Sequence, residues 1–533
     1  MLENKPQRVD GDLLLLNGEI HTGAPWNESV AHLAIQNGIV VALGDEAKSL
    51  RSEYYPMDIV DLRGKTVLPG FVDSHIHLSS LGESLTQLSF SEDTTAEEIQ
   101  KLVAEEVKRR EPDEWIIGGK WSRHTLGGFP DRYLLDSVAP ENPVALHSKD
   151  LHSLLLNGRA IELLEIEKEQ DGELSEYLPR DDDGNLTGML LETAISLYED
   201  RRPEPSLDRL RWYLREAAKY CHKYGITAVH SIESVVNWHS LDWFSDKNEL
   251  GVRTGVLLPV EDLEDVITIN KNTRKFSNWL WIIGIKIFTD GALGSCSAWM
   301  KEPYENSDDR GIPLTDLETL TEQVRKAHEN GLSVGIHAIG DAAVGMTLQA
   351  LRANEPQDRE RYRDRIEHLQ LVDPADLDSV PRQLIASVQP IHLLGDREPA
   401  DRVWGERARK AYAFKTIQSK DIPLAFGSDA PVEDANPWLA IQAAVERREN
   451  AEEPPWYPEE SIDLNTAISA YTLEGARTAF REYEFGVLRE GMLGDLVVLN
   501  NNPWETPSTE LKDIAPVLTA INGKIVYSDG KIA

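Results

Sequence analysis

The stretch LPGFVDSHIHL, residues 68–78, places two histidines two residues apart at the end of an apolar run. On a β-strand, alternate side chains point to the same face and stand about 6.6 Å apart along the chain, so the rings of His75 and His77 can converge on one point. That geometry suits two ligands of one metal ion. The alternative is that both rings only satisfy local hydrogen bonds, and the rest of the chain must decide between the two.

Further chemically active side chains stand in other short apolar segments: Lys286 in IGIKIFTD, His337 in SVGIHAIG, His368 in RIEHLQL and Asp429 in FGSDAPV. Each has a structural alternative, since a histidine can be a core residue, an aspartate can cap a helix and a lysine can be paired. An unpaired ammonium in so apolar a segment is costly to bury. Taken together, four imidazoles, one lysine and one carboxylate predict a metal site.

The elements that would position these residues alternate between strand-like and amphipathic helical segments, which is typical of a parallel α/β fold. Eight strand candidates fall at 66–77, 226–233, 252–260, 280–290, 332–340, 365–371, 384–390 and 422–431. They predict a (β/α)8 TIM barrel over residues 67–485, and in such barrels functional residues lie at the carboxyl ends of the strands. The six candidate ligands would then meet at one face.

The two ends of the chain differ from this middle. Short apolar runs separated by turns, with Asn-Gly pairs in both end segments, predict β-hairpins. Because neither end is large enough for a stable core, we expect residues 1–66 and 486–533 to combine into one small β-sandwich. About 150 residues separate the first two barrel strands, which is more than one helix needs. Residues 80–205 are therefore predicted to be an insertion that covers the barrel mouth.

Composition limits the classes of function. The chain has 533 residues, 41% hydrophobic and 27% charged, which is typical of a globular protein with more than one core. Its formal net charge of −36 disfavours nucleic acid and anionic membrane surfaces as partners, and it would also suit a high-salt habitat. The sequence contains only two cysteines, Cys221 and Cys296, which excludes a disulfide framework and a Cys-rich zinc site. We expect a cytoplasmic location.

The six candidate ligands, in this order, resemble the amidohydrolase superfamily. Its members place His-x-His on the first barrel strand, a frequently carboxylated lysine on the fourth, histidines on the fifth and sixth, and an aspartate on the eighth. Longer stretches are similar to the branch that contains N-substituted formamide deformylase, namely GIKIFTDGALGS, SVQPIHLLGD and GSDAPVEDANPWLAIQAAV. The resemblance covers almost the whole chain, including the split sandwich and the long insertion.

The residues and the resemblance predict a metal-dependent hydrolase that cleaves an amide-type C–N bond, such as that of an N-substituted formamide or another small amide. Imidazole and carboxylate ligands suit a divalent ion, Zn²⁺ above all, and such an ion lowers the pKa of water from about 16 to about 7. Asp429 is expected to touch the ion, to act as general base and then to return the proton to the leaving nitrogen as general acid.

Lys286 decides between one and two ions, because a protonated lysine cannot ligate a cation. The resemblance implies a CO2-derived carbamate on Lys286 that bridges two ions, with His75, His77 and Asp429 around one ion and His337 and His368 around the other. With Lys286 unmodified, a one-metal site is expected.

Two other functions stay open at this stage. Deaminases of the superfamily carry a glutamate three residues after the histidine of the fifth strand, and this chain has Gly340 there. Hydrolysis is therefore favoured over deamination of an amino-substituted heterocycle. A non-catalytic scaffold homologue would have gaps in its ligand set, and this set has none.

The expected partner is a small-molecule substrate, with a homodimer left open as an oligomeric state. Gln389 and His392 follow the seventh strand, where the resemblance suggests a pocket wall, and His230 ends the second strand. A structured loop is the alternative for each. Candidates for a lid over the substrate stand in the insertion: Trp121, His147, Asp150 and His152.

Overall fold

The structure is a computed structural model, and it describes residues 12–26, 28–50, 58–91, 93–149, 152–169, 172, 174–203, 205–272, 277–355, 362–381 and 383–532. The chain divides into two compact units. One is formed by Met1–Gly82 with Arg211–Ala533, and the other by Glu83–Leu210.

The centre of the first unit is an eight-stranded sheet in which every neighbouring pair is parallel. Its strands, adjacent in space in chain order, are Phe71–Ile76, Ile226–Ile232, Arg253–Pro259, Leu280–Phe288, Ser333–Ala338, Arg365–His368, Ile385–Val388 and Leu424–Phe426. The chain after the last strand returns to the first, since Asp429 N donates to His75 O at 2.7 Å and His77 N to Ala430 O at 2.9 Å. The predicted TIM barrel is confirmed.

Helices connect most of the barrel strands, as the amphipathic segments predict; the described residues between the sixth and seventh strands contain only the 3-10 helix Asp376–Ser379. The α-helices of the first unit and its borders are Gly44–Ser49, Leu78–Leu85, Leu207–Lys223, Val235–Asp246, Leu263–Asn272, Leu317–Glu329, Asp341–Ala353, His392–Trp404, Phe414–Gln418, Pro437–Glu446, Leu464–Ala470 and Leu473–Thr478. In Leu317–Glu329 the Asp316 side chain accepts from Thr319 N at 2.8 Å and caps the first turn. None of the described helices has both the length and the apolar character that a membrane crossing needs.

Both ends of the chain build the predicted β-sandwich. A four-stranded sheet holds Leu13–Leu16, Leu33–Gln36, Ile39–Leu43 and Asp58–Asp61, and a six-stranded sheet holds Glu19–His21, Ser29–Val30, Thr66–Pro69, Leu496–Leu499, Pro516–Ile521 and Lys524–Ser528. One core cluster contains Leu13 and Ile35 from the amino-terminal segment and Leu496 and Leu518 from the carboxyl-terminal segment. Hydrophobic burial between the segments therefore joins them into one sandwich.

The segment 66–77, predicted to be one barrel strand, is two strands. Thr66–Pro69 pairs with Leu496–Leu499 in the sandwich, and the barrel begins at Phe71. Gly70 separates them, and a Cβ on Gly70 would lie 2.3 Å from Thr227 Oγ1, so only glycine lets the chain pass this close to the second barrel strand.

The second unit is the long insertion after the first barrel strand that the sequence predicts. Its five-stranded sheet contains Leu88–Ser89, Ile116–Trp121, Val144–Ser148, Ser153–Leu156 and Met189–Leu191, and its α-helices are Ala96–Val107, Tyr133–Asp136, Gly158–Leu163 and Ser196–Arg201. Leu154 and Leu156 belong to one core cluster and Leu155 to another. Because neighbouring side chains of a strand face opposite ways, this sheet is covered on both faces. Its predicted position over the barrel mouth stays a prediction.

Gly427 lies where the end of the eighth strand passes the first strand. A Cβ there would lie 2.4 Å from His75 N and 2.9 Å from His75 Cα, backbone atoms that move only if the first strand shifts. We expect Gly427→Ala to lower the free energy of unfolding of the metal-free protein by about 1–3 kcal/mol, measured by urea unfolding. Gly294→Ala is the matched control, since no described neighbour lies within 4 Å of its Cβ. An equal loss in both variants would contradict this explanation.

Candidate metal centre

The first group of candidate ligands comes from the first and eighth strands, where the barrel sheet closes. His75 and His77 stand at and just after the end of the first strand, and Asp429 follows the eighth strand with a φ of 61°. Asp429 Oδ1 lies 3.4 Å from His75 Nε2 and 3.2 Å from His77 Nε2. The three ligand atoms lie within 4.8 Å of one another, which lets one ion contact all three. We call these residues the His75 group.

Asp429 does not cap the helix that follows it, which was the structural alternative to a ligand role. The next helix is Pro437–Glu446, and its first turn is capped by Asn436, whose side chain accepts from Trp438 N at 3.1 Å.

A second group, the His368 group, contains His368, His392 and Asp429, again with ligand atoms within 4.8 Å of one another. His392 begins the helix after the seventh strand, and its Nε2 lies 3.7 Å from Asp429 Oδ2. His392 was predicted to line the substrate pocket, and here its ligand atom also lies close enough to those of His368 and Asp429 to contact the same ion.

His337, on the fifth strand, lies beside this group. Its ring centroid is 4.6 Å from that of His368, and its Nε2 donates to Gly291 O at 3.1 Å. A carbonyl oxygen can only accept, so the proton is on Nε2 and Nδ1 keeps its lone pair. Burial, together with the charge of Lys286, lowers the pKa of His337 to about 3. His337 is therefore a neutral imidazole that is able to bind a metal ion through Nδ1.

In His75 and His368, a hydrogen bond from Nδ1 to a buried acceptor determines which ring nitrogen is left for a metal ion. His75 Nδ1 donates to Glu367 Oε2 at 2.6 Å, and His368 Nδ1 donates to Gln389 Oε1 at 2.8 Å. The amide of Gln389 is held in this orientation because its Nε2 donates to Ser387 O at 3.3 Å. In both rings Nε2 is left with its lone pair, which is the state that a metal ligand needs.

The pKa values of His75 and His368 are shifted in opposite directions by their surroundings. Burial is the main cause that places the pKa of His368 well below its usual value, so its ring is neutral at pH values where proteins function. Burial also acts to lower the pKa of His75, but the carboxylates of Glu367 and Asp429 act against it and the net shift is upward. A divalent ion competes with the proton for the same nitrogen, and the two carboxylates attract either cation.

Lys286 is the buried cation of the site. It lies on the fourth strand, is 2% exposed, and its Nζ donates no hydrogen bond to any described atom. Burial lowers its pKa to about 8, against the opposing attraction of Glu367 and Asp429. A lysine with this pKa has an appreciable uncharged fraction near neutral pH, and only the uncharged amine reacts with CO2.

These residues fit a divalent ion. The imidazoles offer free nitrogens, Asp429 offers two oxygens between them, and the unpartnered Lys286 nitrogen is the kind of group that a carbamate would turn into an anionic ligand.

Two predicted substrate contacts lie behind the ligands instead of in the open mouth. Gln389 is 2% exposed and uses both amide atoms, as described above. His230 is fully buried, and its Nδ1 accepts from Arg365 Nη1 at 3.1 Å. These positions favour a role in orienting other side chains over direct contact with substrate.

The predicted lid residues belong to the second unit. Trp121 is buried and donates from Nε1 to Leu146 O at 2.8 Å, while His152 is exposed and its Nδ1 lies 2.8 Å from Glu192 Oε2. Both line a cavity of about 450 Å³ within that unit. His147 packs against the ring of Tyr198, and Asp150 lies outside the described residues. Their contact with substrate stays a prediction.

Three residues of this region were not identified from the sequence. Arg365 and Glu367 are buried side chains of the sixth strand, and the signal was two charged residues at alternate positions of an otherwise apolar segment. Phe288 is 46% exposed at the end of the fourth strand, with its ring centroid 5.1 Å from that of His337. Phe288 could have been found from its position two residues after Lys286, because side chains at that spacing on a strand point to the same face of the sheet.

Comparison with known proteins agrees with this site. Residues 58–527 match the model of an amidohydrolase family. The chain is 32% identical over 544 residues to Protein LONG AFTER FAR-RED 3 of Arabidopsis thaliana, covering 98% of this chain and 92% of that protein. It is 23% identical over 539 residues to N-substituted formamide deformylase of Arthrobacter pascens, covering 97% and 98%.

A solved structure supports the same assignment. An uncharacterized metal-dependent hydrolase from Pyrococcus furiosus is 29% identical, with a TM-score of 0.79, over 93% of this chain and 100% of that chain. The resemblance noted from the ligand pattern is thereby confirmed: the chain belongs to the amidohydrolase family and is a metal-dependent hydrolase.

Proposed function

We propose that the protein hydrolyses the amide-type C–N bond of a small molecule, with Zn²⁺ as its ion. The observation that carries this proposal is the position of Asp429. Its Oδ1 faces His77 at 3.2 Å and its Oδ2 faces His392 at 3.7 Å, so one carboxylate belongs to both ligand groups. A proton acceptor beside the place where water is activated is what amide hydrolysis requires.

A bound divalent ion supplies Lewis-acid chemistry, because it polarises a carbonyl and lowers the pKa of water to about 7. Asp429 moves the proton. Although burial raises the pKa of Asp429, the neighbouring His75 holds it well below the usual range, so the carboxylate is ionised and able to accept. It takes a proton from the attacking water, whose oxygen bonds to the carbonyl carbon. It then returns the proton to the nitrogen as the C–N bond breaks, which yields a carboxylic acid and an amine.

We propose that a carbamate on Lys286 would help the histidines and Asp429 to hold two ions. The buried Nζ, which donates no hydrogen bond to any described atom, supports this proposal, since an ammonium without an acceptor is costly to bury and a carbamate beside a divalent cation would have a counter-charge. The carbamate forms when the uncharged amine adds CO2 and loses a proton, which converts this buried amine into an anionic group that could bind metal ions.

Gly340 supports hydrolysis over deamination. Deaminases of the superfamily are expected to carry a glutamate at this position, and in this chain a Cβ on Gly340 would lie 2.0 Å from Trp299 O. Gly340 N also donates to Asp290 Oδ2 at 2.8 Å, which holds the backbone in place. A glutamate side chain therefore has no room here. N-substituted formamides come first among substrates to test, because the formamide deformylase matches along 97% of the chain.

The test is a substrate screen with controlled metal content. N-substituted formamides and small amides are assayed by amine release, and amino-substituted heterocycles by ammonia release, on the purified protein, after chelation and after reloading with Zn²⁺. We expect at least one amide to be hydrolysed, the rate to fall to background after chelation and to recover with Zn²⁺. Ammonia release from a heterocycle without amide hydrolysis would favour the deaminase alternative. Turnover that survives complete metal removal would contradict the proposed mechanism.

A further inference from the structure

A buried ion pair lies directly behind the His75 group. Glu367 Oε2 accepts from His75 Nδ1 at 2.6 Å, and the other oxygen of the same carboxylate, Oε1, lies 2.6 Å from Arg365 Nε. Glu367 is fully buried, and Arg365 and His75 are each 1% exposed. The Arg365 guanidinium in turn donates from Nη1 to His230 Nδ1 at 3.1 Å. Glu367 is thus held on one side by a guanidinium and presents its second oxygen to the imidazole.

We propose that Glu367, held by Arg365, is the positioning residue that fixes the tautomer and ring orientation of His75 and so strengthens metal binding by the His75 group. This inference rests on the proposed metal site. A carboxylate can only accept from His75, so the proton on Nδ1 is retained and Nε2, which faces Asp429 at 3.4 Å, is the nitrogen left for an ion to bind. The carboxylate also makes the ring a more basic, stronger ligand.

A contribution to folding stability does not by itself explain the buried pair of Arg365 and Glu367. Two charges removed from water lose hydration that their mutual attraction often fails to restore, and well-packed apolar residues would serve a barrel interior as well or better. Leu257 on the third strand is such a residue: it is fully buried, and its Cδ1 would lie 3.0 Å from a Cβ on Gly335, beside the same pair. The charged pair occurs at the strand position from which a side chain reaches His75.

The backbone makes room for the pair. Gly335 on the fifth strand is in register with Arg365 on the sixth. A Cβ on Gly335 would lie 2.8 Å from Glu367 Oε1 and 3.4 Å from Arg365 Nε, so any side chain there would press on both partners. The absence of a side chain at Gly335 is what lets the carboxylate lie between the guanidinium and the imidazole.

The primary test is Glu367→Gln, with metal affinity as the readout. Zn²⁺ dissociation constants of the full-length protein are measured by competition with a chromophoric chelator, without any substrate. We expect Glu367→Gln to bind about 10–100-fold more weakly than wild type, the effect typical of losing a partner that orients a ligand. The Co²⁺-loaded variant is also expected to show shifted ligand-field absorption bands, because the ring of His75 is no longer held in one orientation.

A second variant keeps the test decisive if Glu367→Gln folds poorly because Arg365 is left buried without its counter-ion. The double variant Glu367→Gln/Arg365→Met removes both charges of the pair, so neither partner is left buried without its counter-ion. We expect it to unfold at or near the wild-type temperature and still to bind Zn²⁺ about 10–100-fold more weakly. Wild-type affinity together with wild-type Co²⁺ bands in this double variant would overturn the proposal.

A matched control breaks a buried ion pair of the same kind elsewhere in the first unit. Arg253 Nη2 donates to Asp495 Oδ1 at 2.9 Å, and both side chains are buried. Asp495→Asn is expected to lower the unfolding temperature and to leave Zn²⁺ affinity unchanged. An equal loss of affinity in Asp495→Asn would show that destabilisation alone weakens binding, which would also overturn the proposal. Since affinity is measured without substrate, failure of the amide screen leaves this result intact, and the two proposals fail separately.

Discussion

Replacing Asp429 by asparagine is expected to lower kcat/KM for the amide substrate by about 10²–10⁴-fold. An amide cannot accept the proton of water, and it is a weaker metal ligand than a carboxylate. Asp429 also has a φ of 61°, a conformation that asparagine adopts readily, so the backbone should be unaffected. The measurements are steady-state kinetics on the substrate found by the screen and metal content per chain by elemental mass spectrometry.

Asp421→Asn is the matched control for this substitution. Asp421 is an exposed aspartate with a φ of 56°, and it does not belong to either ligand group. We expect its kinetics to equal those of wild type. If Asp429→Asn kept more than about a tenth of the wild-type kcat/KM, the proton transfer assigned to Asp429 would be wrong.

Lys286→Met is expected to change metal content and stability in opposite directions. Without the lysine no carbamate forms, so we expect about one ion per chain where we expect two in wild type, and activity at least about 10²-fold lower, because the proposed second ion would be lost. In the metal-free protein the same substitution removes a buried ammonium that has no described hydrogen-bond acceptor. It should therefore raise the free energy of unfolding by about 1–3 kcal/mol at neutral pH.

The stability gain has a predicted pH dependence. Burial lowers the pKa of Lys286 in the folded protein to about 8, below the ordinary lysine value of 10.5. Such a depressed pKa destabilises the folded state at pH values below 8, and the penalty fades as the pH rises from 8 toward the unfolded pKa. The advantage of Lys286→Met should accordingly be largest at neutral pH and shrink in alkaline buffer, as followed by urea unfolding of both metal-free proteins.

Lys301→Met provides the contrast, since Lys301 is paired with Asp376 at 2.7 Å and Asp373 at 3.3 Å. We expect this variant to keep the wild-type metal content and to gain no stability. Intact-mass measurement under native, CO2-replete conditions should find one added CO2 on wild type and none on Lys286→Met. Equal metal content in wild type and Lys286→Met would contradict the bridging role of Lys286.

Local patterns in the sequence were sufficient for much of this protein. Runs of apolar residues separated by amphipathic helices indicated eight parallel strands, and all eight are present. The spacing of two between His75 and His77 indicated a shared face, because strand side chains alternate. The composite sandwich followed from end segments that are each too small for a core. These features depend on the periodicity and composition of single segments, which can be read from the sequence without knowing the fold.

The choice of partners inside the site was decided by the tertiary structure. Alternation predicts opposite faces for Glu367 and His368, yet both reach the same cluster, because His368 ends its strand with a φ of 71°. Gln389 accepts a hydrogen bond from His368, and His392, which was expected only in a pocket wall, joins His368 and Asp429 in a metal-capable group. Such arrangements depend on single backbone angles and on close approach between strands hundreds of residues apart. Periodicity within one segment contains no information about either, so only the folded chain determines which nitrogen and which oxygen meet.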